Sequence, residues 1–537
     1  MGRCEPARLE AGIQETPKVR FGVWKWIGVA AGLFLLLAAG AAAYLRWLSP
    51  IDRNWVVKAL SSRYECDVEL KDFNSSFFPT LTISGEGLVL RRRDRPDSPP
   101  MASVEKFSVT ASWLGLLRHP RRFSEVRLDG FALNVPPRQS APATGGAAKS
   151  KAKKKKPAPP PFVLDKVIAD GTTINIFSSR ADKPPRVFNV QRLRLQSAGV
   201  GPPMRFEAVL TNPRPVGQID STGSFGPWNP DDPSLTPVKG QYIFQHADLS
   251  TIHGLMGELS SEGTYDGVLS YINVHGETDT PDFALAISRN PVHLQTKFEA
   301  AVDGVTGDTF LRPVTAQLLS STIVARGGVA RTAGRSGRTI LLDVTASPAR
   351  LQDLLRLAVK SPKPSMTGNV RIQAKLDLPP GDQDISRRMS LDGDFNIDSA
   401  RFTNPDAEGK IRTLSRIGRG KHVQDESDSA PLSMSGHFQL ASGVAKFSRL
   451  EFSVPGARVQ LQGTFGLDSQ ALDFVGTVSL QATVSQLVTG VKSVLLKPLD
   501  PFFARNGAGI VVPVRITGTR DSPSFEVEFG KIFKRTE

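Results

Sequence analysis

Seven histidines and two close pairs of acidic residues are the side chains of this 537-residue chain that could carry out chemistry. No two histidines stand three or four residues apart, the spacing that places two metal ligands on one helix face. His246 and His253 are seven residues apart across a predicted helix start, so they could share a face. Scattered surface histidines are the simpler interpretation, and we predict no metal site.

The acidic pairs and one basic segment also favour turns over catalysis. Asp231-Asp232 and Asp392 with Asp394 stand beside Pro or Gly, a context typical of solvated turns. The Arg- and Gly-rich segment 326–338 lacks the Lys-Ser/Thr of a phosphate-binding loop and is interpreted as a hairpin loop. The sequence contains no G-x-S-x-G or H-E-x-x-H motif. We predict no catalytic residues, no cofactor and no enzyme; a third hypothesis, a tethered hydrolase, would need acids or histidines that converge in a pocket.

A charge-free run of 19 residues, Ile27 to Leu45, predicts where the protein lies in the cell. As a helix it covers about 28 Å at about 1.5 Å per residue, close to the thickness of the hydrocarbon core of a bilayer. Aromatic residues stand at both ends, as at membrane interfaces. The residues that we predict to form this membrane anchor are Trp24, Trp26, Ile27, Leu35, Leu36, Leu45 and Trp47.

Charge around this run predicts its orientation. Basic residues within 18–25 precede it, so the positive-inside rule places residues 1–26 in the cytoplasm and the bulk of the chain on the far side. The alternative is a cleaved signal peptide, because the alanines at 41–43 resemble a cleavage site. A short helix follows, with its start at Ser49 and apolar residues up to Tyr64. It either packs on the first domain or lies in the lipid interface.

The rest of the chain indicates β structure, because its 47 Gly and 40 Pro punctuate short stretches of period-two alternation. The clearest such block, His437 to Ala482, is typical of an antiparallel meander. Alternating strands have one apolar face that must be covered, either by a second sheet or by hydrocarbon. The residues that we predict to line such a groove are Phe107, Val109, Val126, Leu128, Phe438, Leu440, Leu450, Phe452, Val454, Val459, Leu461, Phe465, Leu467, Val478 and Leu480.

Three later stretches have helical spacing, and we predict that they cap the sheet: Asp248 to Met256, Ala349 to Val359 and Val484 to Leu496. A shared spacing of Gly, Pro and Phe in Val274 to Phe283 and Ile516 to Phe525 predicts strand, turn and strand in both.

Charge and cysteine content exclude other classes. The net charge of +15 is partly local, because six lysines lie within 149–156. This tract belongs to a Lys/Pro/Ala-rich linker, 139–161, which we interpret as solvated or as contacting anionic lipid headgroups. We predict no nucleic-acid partner, because the tract lies beyond the membrane span. Cys4 and Cys66 flank that span, so they cannot pair or form a disulfide framework.

Both ends of the chain carry patterned motifs. The N-terminal motifs are VKAL…YECDVEL at 57–70, FFPTLTISGEGL at 77–88, WLGLLR at 113–118 and VRLDG at 126–130. The C-terminal motifs, within 433–529, are VPGA, GTF and GT…PSF. In these motifs the chain resembles the AsmA-like envelope family, and its middle matches loosely. The chain is short for the family, and the lysine tract is not part of its pattern.

The resemblance implies an inner-membrane protein, single-pass, whose bulk lies in the periplasm. It implies an elongated β-groove that carries phospholipid or another envelope lipid, with outer-membrane or periplasmic envelope proteins as further partners. The alternative function is a factor for outer-membrane protein assembly or targeting. We therefore predict a mostly β fold, in which a transmembrane helix precedes an elongated, curled antiparallel sheet with a few short capping helices. The segments are 1–26 cytoplasmic, 27–45 transmembrane, 46–138 N-terminal β domain, 139–161 linker, 162–432 central groove repeats and 433–537 C-terminal domain.

Overall fold

The structure, a computed structural model, describes residues 53–527 except 136–161, 178–184, 420–431, 482–509 and shorter gaps of at most five residues. It is mostly β, with 70% strand and 11% helix, and its strands form one long curled sheet. The predicted mostly β class with few helices is thereby confirmed.

The predicted membrane anchor, with its tryptophans, lies outside the described residues. So do the lysine tract and the predicted helix from Val484 to Leu496. In the part of the chain that the structure describes, no helix is both long and apolar enough to span a bilayer.

The described residues contain 28 strands, with these bounds: β1 Cys66–Glu69, β2 Asp72–Ser76, β3 Leu81–Arg92, β4 Ala102–Ala111, β5 Arg121–Phe123, β6 Glu125–Asp129, β7 Ala132–Val135, β8 Phe162–Ile168, β9 Thr172–Ile176, β10 Arg186–Gly199, β11 Met204–Pro213, β12 Val216–Phe225, β13 Pro237–Asp248, β14 Leu255–Met256, β15 Glu258–Val268, β16 Tyr271–Leu285, β17 Val292–Val302, β18 Thr309–Leu318, β19 Ser321–Arg331, β20 Arg338–Arg350, β21 Met366–Leu378, β22 Ser390–Phe402, β23 Leu432–Ala441, β24 Val444–Val454, β25 Ala457–Gly466, β26 Ala471–Leu480, β27 Ile510–Thr519 and β28 Ser522–Val527.

The α-helices of the same residues are α1 Arg53–Tyr64, α2 Trp113–Leu117, α3 Leu351–Ala358, α4 Ile385–Arg388 and α5 Pro405–Gly418. The predicted helices at the N-terminus and at 349–359 are confirmed as α1 and α3. The helix predicted from Asp248 to Met256 is wrong: only a 3₁₀ turn, Leu249–Thr251, precedes β14, because the segment connects two neighbouring strands. Helix α5 was not predicted.

Almost all strand pairs are antiparallel neighbours in sequence, from β10 to β13 and from β15 to β28. The exception is a parallel junction, at which β5 and β6 pair with β8, and β7 pairs with β9. The sheet therefore continues without a break between the strands that precede the linker and those that follow it. The meander predicted from His437 onward is confirmed as β23 to β26, whose first turn, Ser442-Gly443, has the two positive φ angles that two-residue hairpins favour.

The strand–turn–strand prediction from Val274 to Phe283 is wrong. Strand β16 runs through the whole segment, and its Pro281 lies in a register shift between Thr280 and Phe283. A bulge accommodates the proline because the ladder is already interrupted there. The matching segment near the C-terminus does form two strands, β27 and β28.

Two rims bound the sheet between β13 and β26. The helix rim carries the connections 249–257, 286–291, 319–320 and 455–456, together with α3 and α5; the hairpin rim carries the connections that alternate with these, including α4. Register shifts recur near the helix rim in β13, β16, β20 and β22. Bulges bend strands and increase their twist, so these register shifts, which follow one another along the helix rim, account for the curl of the sheet.

The N-terminal strands enclose a dry core. Its residues come from β1, β3, β4 and the strands that follow them up to β10, and Leu88, Leu90, Phe123 and Val126 are completely buried there. Val56 and Val57 of α1 pack against this core. This contact supports the packing interpretation of α1 over a helix in the lipid interface.

Helix α3 is held at both ends on the helix rim. Buried Asp353 accepts hydrogen bonds from the Ser320 amide at 3.1 Å and the Ser321 hydroxyl at 2.8 Å. Beyond its C-terminus, the Asn290 side chain donates to the Val359 carbonyl at 2.7 Å. Its first residue, Leu351, belongs to a second core cluster formed by the helix-rim ends of β20 to β26.

Candidate functional site

The candidate site is the apolar face of the sheet from β10 to β27, the side on which every second side chain is apolar. The strand register shows how it continues from strand to strand. Phe452 of β24 stands opposite Val459 of β25, which stands opposite Val478 of β26, and that residue faces Val512 of β27. A second row joins Leu450, Leu461 and Gly476 in the same way. Alternation thus produces rows of apolar side chains that cross the strands.

The C-terminal groove residues predicted from sequence lie together on this face, apart from Leu467 in the turn after β25. Half-buried members are Phe438, Leu450, Phe452, Phe465, Leu467 and Val478; buried members are Leu440, Val454, Val459, Leu461 and Leu480. Helix α5 contributes Ile411 and Leu414 to the packing around the buried ones. The accessible part of the apolar face in these C-terminal strands therefore consists of the half-buried aromatic and aliphatic side chains.

The N-terminal candidates lie elsewhere. Phe107, Val109, Val126 and Leu128 are at most 4% exposed, and they belong to the dry core that α1 covers. Since no hydrocarbon can reach side chains packed in this way, we assign them to the core and leave them out of the candidate site.

The central strands contribute apolar residues that our sequence analysis did not single out. Their half-buried side chains on the apolar face include Phe206, Phe225, Phe244, Val274, Phe298, Leu342 and Leu376. The opposite side chains of the same strands are mostly exposed. In a curled sheet, the side chains on the inner side crowd together, so this difference identifies the apolar face as the inner one. The sequence pattern that could have identified these central residues is the alternation VKGQYIFQ at 238–245.

Aromatic rings also join β22, β24 and β26. The ring centroids of Phe395 and Phe447 are 6.3 Å apart in an edge-to-face arrangement, and those of Phe447 and Phe474 are 5.8 Å apart. Such pairs stabilise neighbouring strands by about 0.5–1.5 kcal/mol beyond their burial. They form a continuous aromatic patch on the apolar face.

Two hydroxyl relays interrupt the apolar face between β12 and β16. The Ser261 hydroxyl donates to the Glu277 carbonyl at 2.9 Å, so it accepts from the Tyr242 hydroxyl at 3.2 Å. Ser221 and Tyr265 repeat the arrangement at 2.8 Å, with the serine donating to the next strand. Burial raises the pKa of both phenols, so they remain neutral donors. The relays satisfy the polar atoms without placing a charge on this face.

The described residues among those first considered for chemistry lie on the opposite, polar face or in turns; His119, Asp231 and His422 lie outside the described residues. His437 stands 3.3 Å from Asp394 and 3.7 Å from Asp392, but all three are on an exposed strand surface. The side chain of Asp232 accepts hydrogen bonds within its own turn, as expected of a turn residue.

The histidine pair does not form the helical face considered above. His246 ends β13 beside Glu258, and His253 lies in the connection that follows. Among the described residues no group of three His, Cys, Asp or Glu side chains has the arrangement of a metal site. Of the segment predicted to be a hairpin loop, residues 326–331 instead end β19 and 338 begins β20, while 333–336 lie outside the described residues.

Comparison with known proteins identifies no relative: the chain matches no family model, no curated protein and no solved structure.

Proposed function

We propose that this protein binds the acyl chains of phospholipid or another envelope lipid on its apolar face, which acts as a hydrophobic groove. The observation that carries the proposal is the half-buried state of this face. Phe206, Phe244 and Phe298 remain partly accessible on the inner side of the curl, and no second sheet covers them within the described residues.

The energetics favour a hydrocarbon ligand. Each methylene removed from water contributes about 0.8 kcal/mol, so a chain that moves from strand to strand along the face avoids a large exposure cost. From β10 to β27 the face is about 80 Å long, measured along the sheet at about 4.8 Å between strands. Such transfer needs no catalytic residue, and the proposed activity is not enzymatic.

The proposal also includes the location of the protein in the cell. A chain anchored in the inner membrane through 27–45 would hold the sheet in the periplasm, where it contributes to lipid transport toward the outer membrane. The resemblance to the AsmA-like family supports this placement, and so does the predicted orientation of the anchor. Assembly of outer-membrane proteins is the alternative function.

A photo-cross-linking experiment on the full-length protein in cells tests the proposal. A benzophenone amino acid replaces Phe244 on the apolar face or its neighbour Ile243, which is 46% exposed on the polar face. Both positions lie in β13, so they share the same depth and expression context. We expect lipid adducts, identified by mass spectrometry, at Phe244 and none at Ile243.

Equal lipid labelling at the two positions would contradict the proposal, because membrane proximity alone would then explain it. Adducts with outer-membrane proteins at Phe244, without lipid, would favour the alternative function. A probe at Phe107 should give no lipid adduct, since that side chain is 3% exposed in the dry core.

A further inference from the structure

The two rims of the sheet meet at one place. The Ile385 amide of α4, on the hairpin rim, donates to the His253 carbonyl at 3.2 Å. His253 belongs to the connection between β13 and β15, on the helix rim. The segments are more than 100 residues apart in sequence, and their strands are not paired with each other. Consequently, the sheet curls far enough between them to bring opposite rims into contact.

The approach at this place is close and specific. A Cβ atom on Gly254 would lie 2.8 Å from the Ile385 nitrogen, and the glycine has a φ of +100°. Only glycine tolerates both this close approach and this positive φ without strain. Burial, and after it the like charge of Arg214 in the β11–β12 turn, lower the pKa of Arg388 in α4, so this turn also lies near the hairpin-rim connection.

The contact encloses a definite part of the sheet. Strands β15 to β21 lie between the two connections, and their apolar side chains point to the inner side of the curl. Seven strands form this turn, close to the roughly eight of small barrels, whose interior is filled by side chains or holds one small ligand. Among the described residues no strand pairing closes this turn, so the contact between 253–254 and Ile385 holds it shut.

We infer that the contact between 253–254 and 385–388 is a latch that encloses the apolar face of β15 to β21, and that its opening admits and releases acyl chains laterally. The inference rests on the proposed function. The closed latch retains hydrocarbon in this section, whereas the face of β23 to β27 lies beyond it. One backbone hydrogen bond and one close glycine approach are weak enough to open repeatedly.

Cross-linking tests the latch directly. The full-length protein carries Cys4→Ser, retains buried Cys66, and receives His253→Cys with Ile385→Cys. A backbone hydrogen bond of this length brings the two Cα atoms within the range that disulfides span. The matched control pairs His253→Cys with Ser442→Cys, which lies on the hairpin rim at the β23–β24 turn. We expect a disulfide in the first pair and none in the control.

Exchange of a pyrene-labelled fatty acid is then followed by stopped flow, with the protein in nanodiscs of phosphatidylethanolamine and phosphatidylglycerol. We expect the disulfide to slow uptake and release by at least about tenfold, with recovery after reduction. Unchanged exchange in the cross-linked protein overturns the latch. Absence of the disulfide overturns the rim contact itself. Absence of probe binding in every form overturns the proposed function and the latch together, while the disulfide still verifies the contact.

A second pair of variants weakens the latch without cross-linking. Ile385 is the first residue of α4, and Asp384 before it has φ −53° and ψ 142°, a conformation that precedes proline readily. Ile385→Pro therefore removes the amide donor and retains the helix, whereas Ile385→Ala removes only the side chain. We expect exchange about two- to tenfold faster in the proline variant than in the alanine variant. Equal rates would show that the hydrogen bond does not limit opening.

Discussion

The N-terminal strands, β1 to β9, and the later strands, β10 to β27, have similar alternating sequences but different surroundings. Phe107 in β4 is 3% exposed, whereas Phe298 in β17 remains half-buried. In the N-terminal region, a parallel junction and α1 bring enough side chains together to exclude solvent. In the later region, each strand meets mainly its two neighbours. Alternation therefore predicts an apolar face, but the layer that covers it depends on topology.

The largest expected difference between the regions is the cost of removing a phenyl ring. Phe107→Ala leaves a cavity in a dry core and should lower the free energy of unfolding by about 3–5 kcal/mol. Phe244→Ala, on the half-buried face, should lower it by less than about 1 kcal/mol, because solvent or lipid refills the site. Denaturant unfolding of both variants of the full-length protein measures this. Similar costs at the two positions would mean that both regions have closed cores.

Thiol reactivity sharpens the comparison. Cys66 is buried in the N-terminal core, and burial raises the pKa of its thiol to about 11 from an ordinary value of 9.0. At pH 8 it should hold about a hundredfold less thiolate than an exposed cysteine, and burial slows reagent access further. A cysteine introduced by Thr296→Cys on the apolar face should react with an apolar maleimide much faster. Mass spectrometry of timed samples in a Cys4→Ser background gives both rates.

The sequence predicted the fold class because its signals are local. Period-two alternation and turn residues such as Ser442-Gly443 determine strands within a few residues, so β23 to β26 were predicted well. Helix α3 was predicted because three leucines share one of its faces. The segment from Asp248 to Met256 has comparable spacing, but it must span two paired strands, and that tertiary requirement prevents a helix.

The candidate site was predicted only in part. Phe452 and Val478 lie on the apolar face as expected, whereas Phe107 and Val126, with the same local pattern, are enclosed. The difference comes from the pairing of β6 with β8 and from α1, neither of which alternation reveals. Contact between 253–254 and 385–388 depends on the accumulated twist of many strands and leaves no local signal except the glycine.

Helix α3 offers a test of the covering elements in the later region. Asp353→Ala leaves the Ser320 amide and the Ser321 hydroxyl without their buried acceptor, at a cost of about 1–3 kcal/mol in the free energy of unfolding. Asp343→Ala, on the exposed polar face of β20, is the matched control and should cost less than about 0.5 kcal/mol. Hydrogen exchange should increase in α3 before it increases in the N-terminal strands. A uniform increase would indicate one cooperative unit.

The smallest expected effect is alkaline destabilisation, which differs in origin between the two regions. The pKa values of Tyr242 and Tyr265 are raised from 10.0 by burial in the folded protein, so between pH 10 and those higher values the unfolded chain loses protons first. Stability should therefore be unaffected by these groups below pH 10 and fall as the pH rises above it. Cys66 has the same sign over a window from pH 9 to about 11.

Denaturant midpoints at pH 8 to 11.5 separate these contributions in the wild type, in Tyr242→Phe/Tyr265→Phe and in Cys66→Ala. The tyrosine variant should remove only the loss of stability that the two tyrosines cause, and Cys66→Ala only the loss that the thiol causes. Bound lipid would bury the phenols of the apolar face further and raise their pKa values. Added fatty acid should therefore shift the loss of stability that the tyrosines cause to higher pH. The cysteine part should not move, because the N-terminal core is already closed. A fatty acid that moves both parts equally would contradict the distinction between the regions.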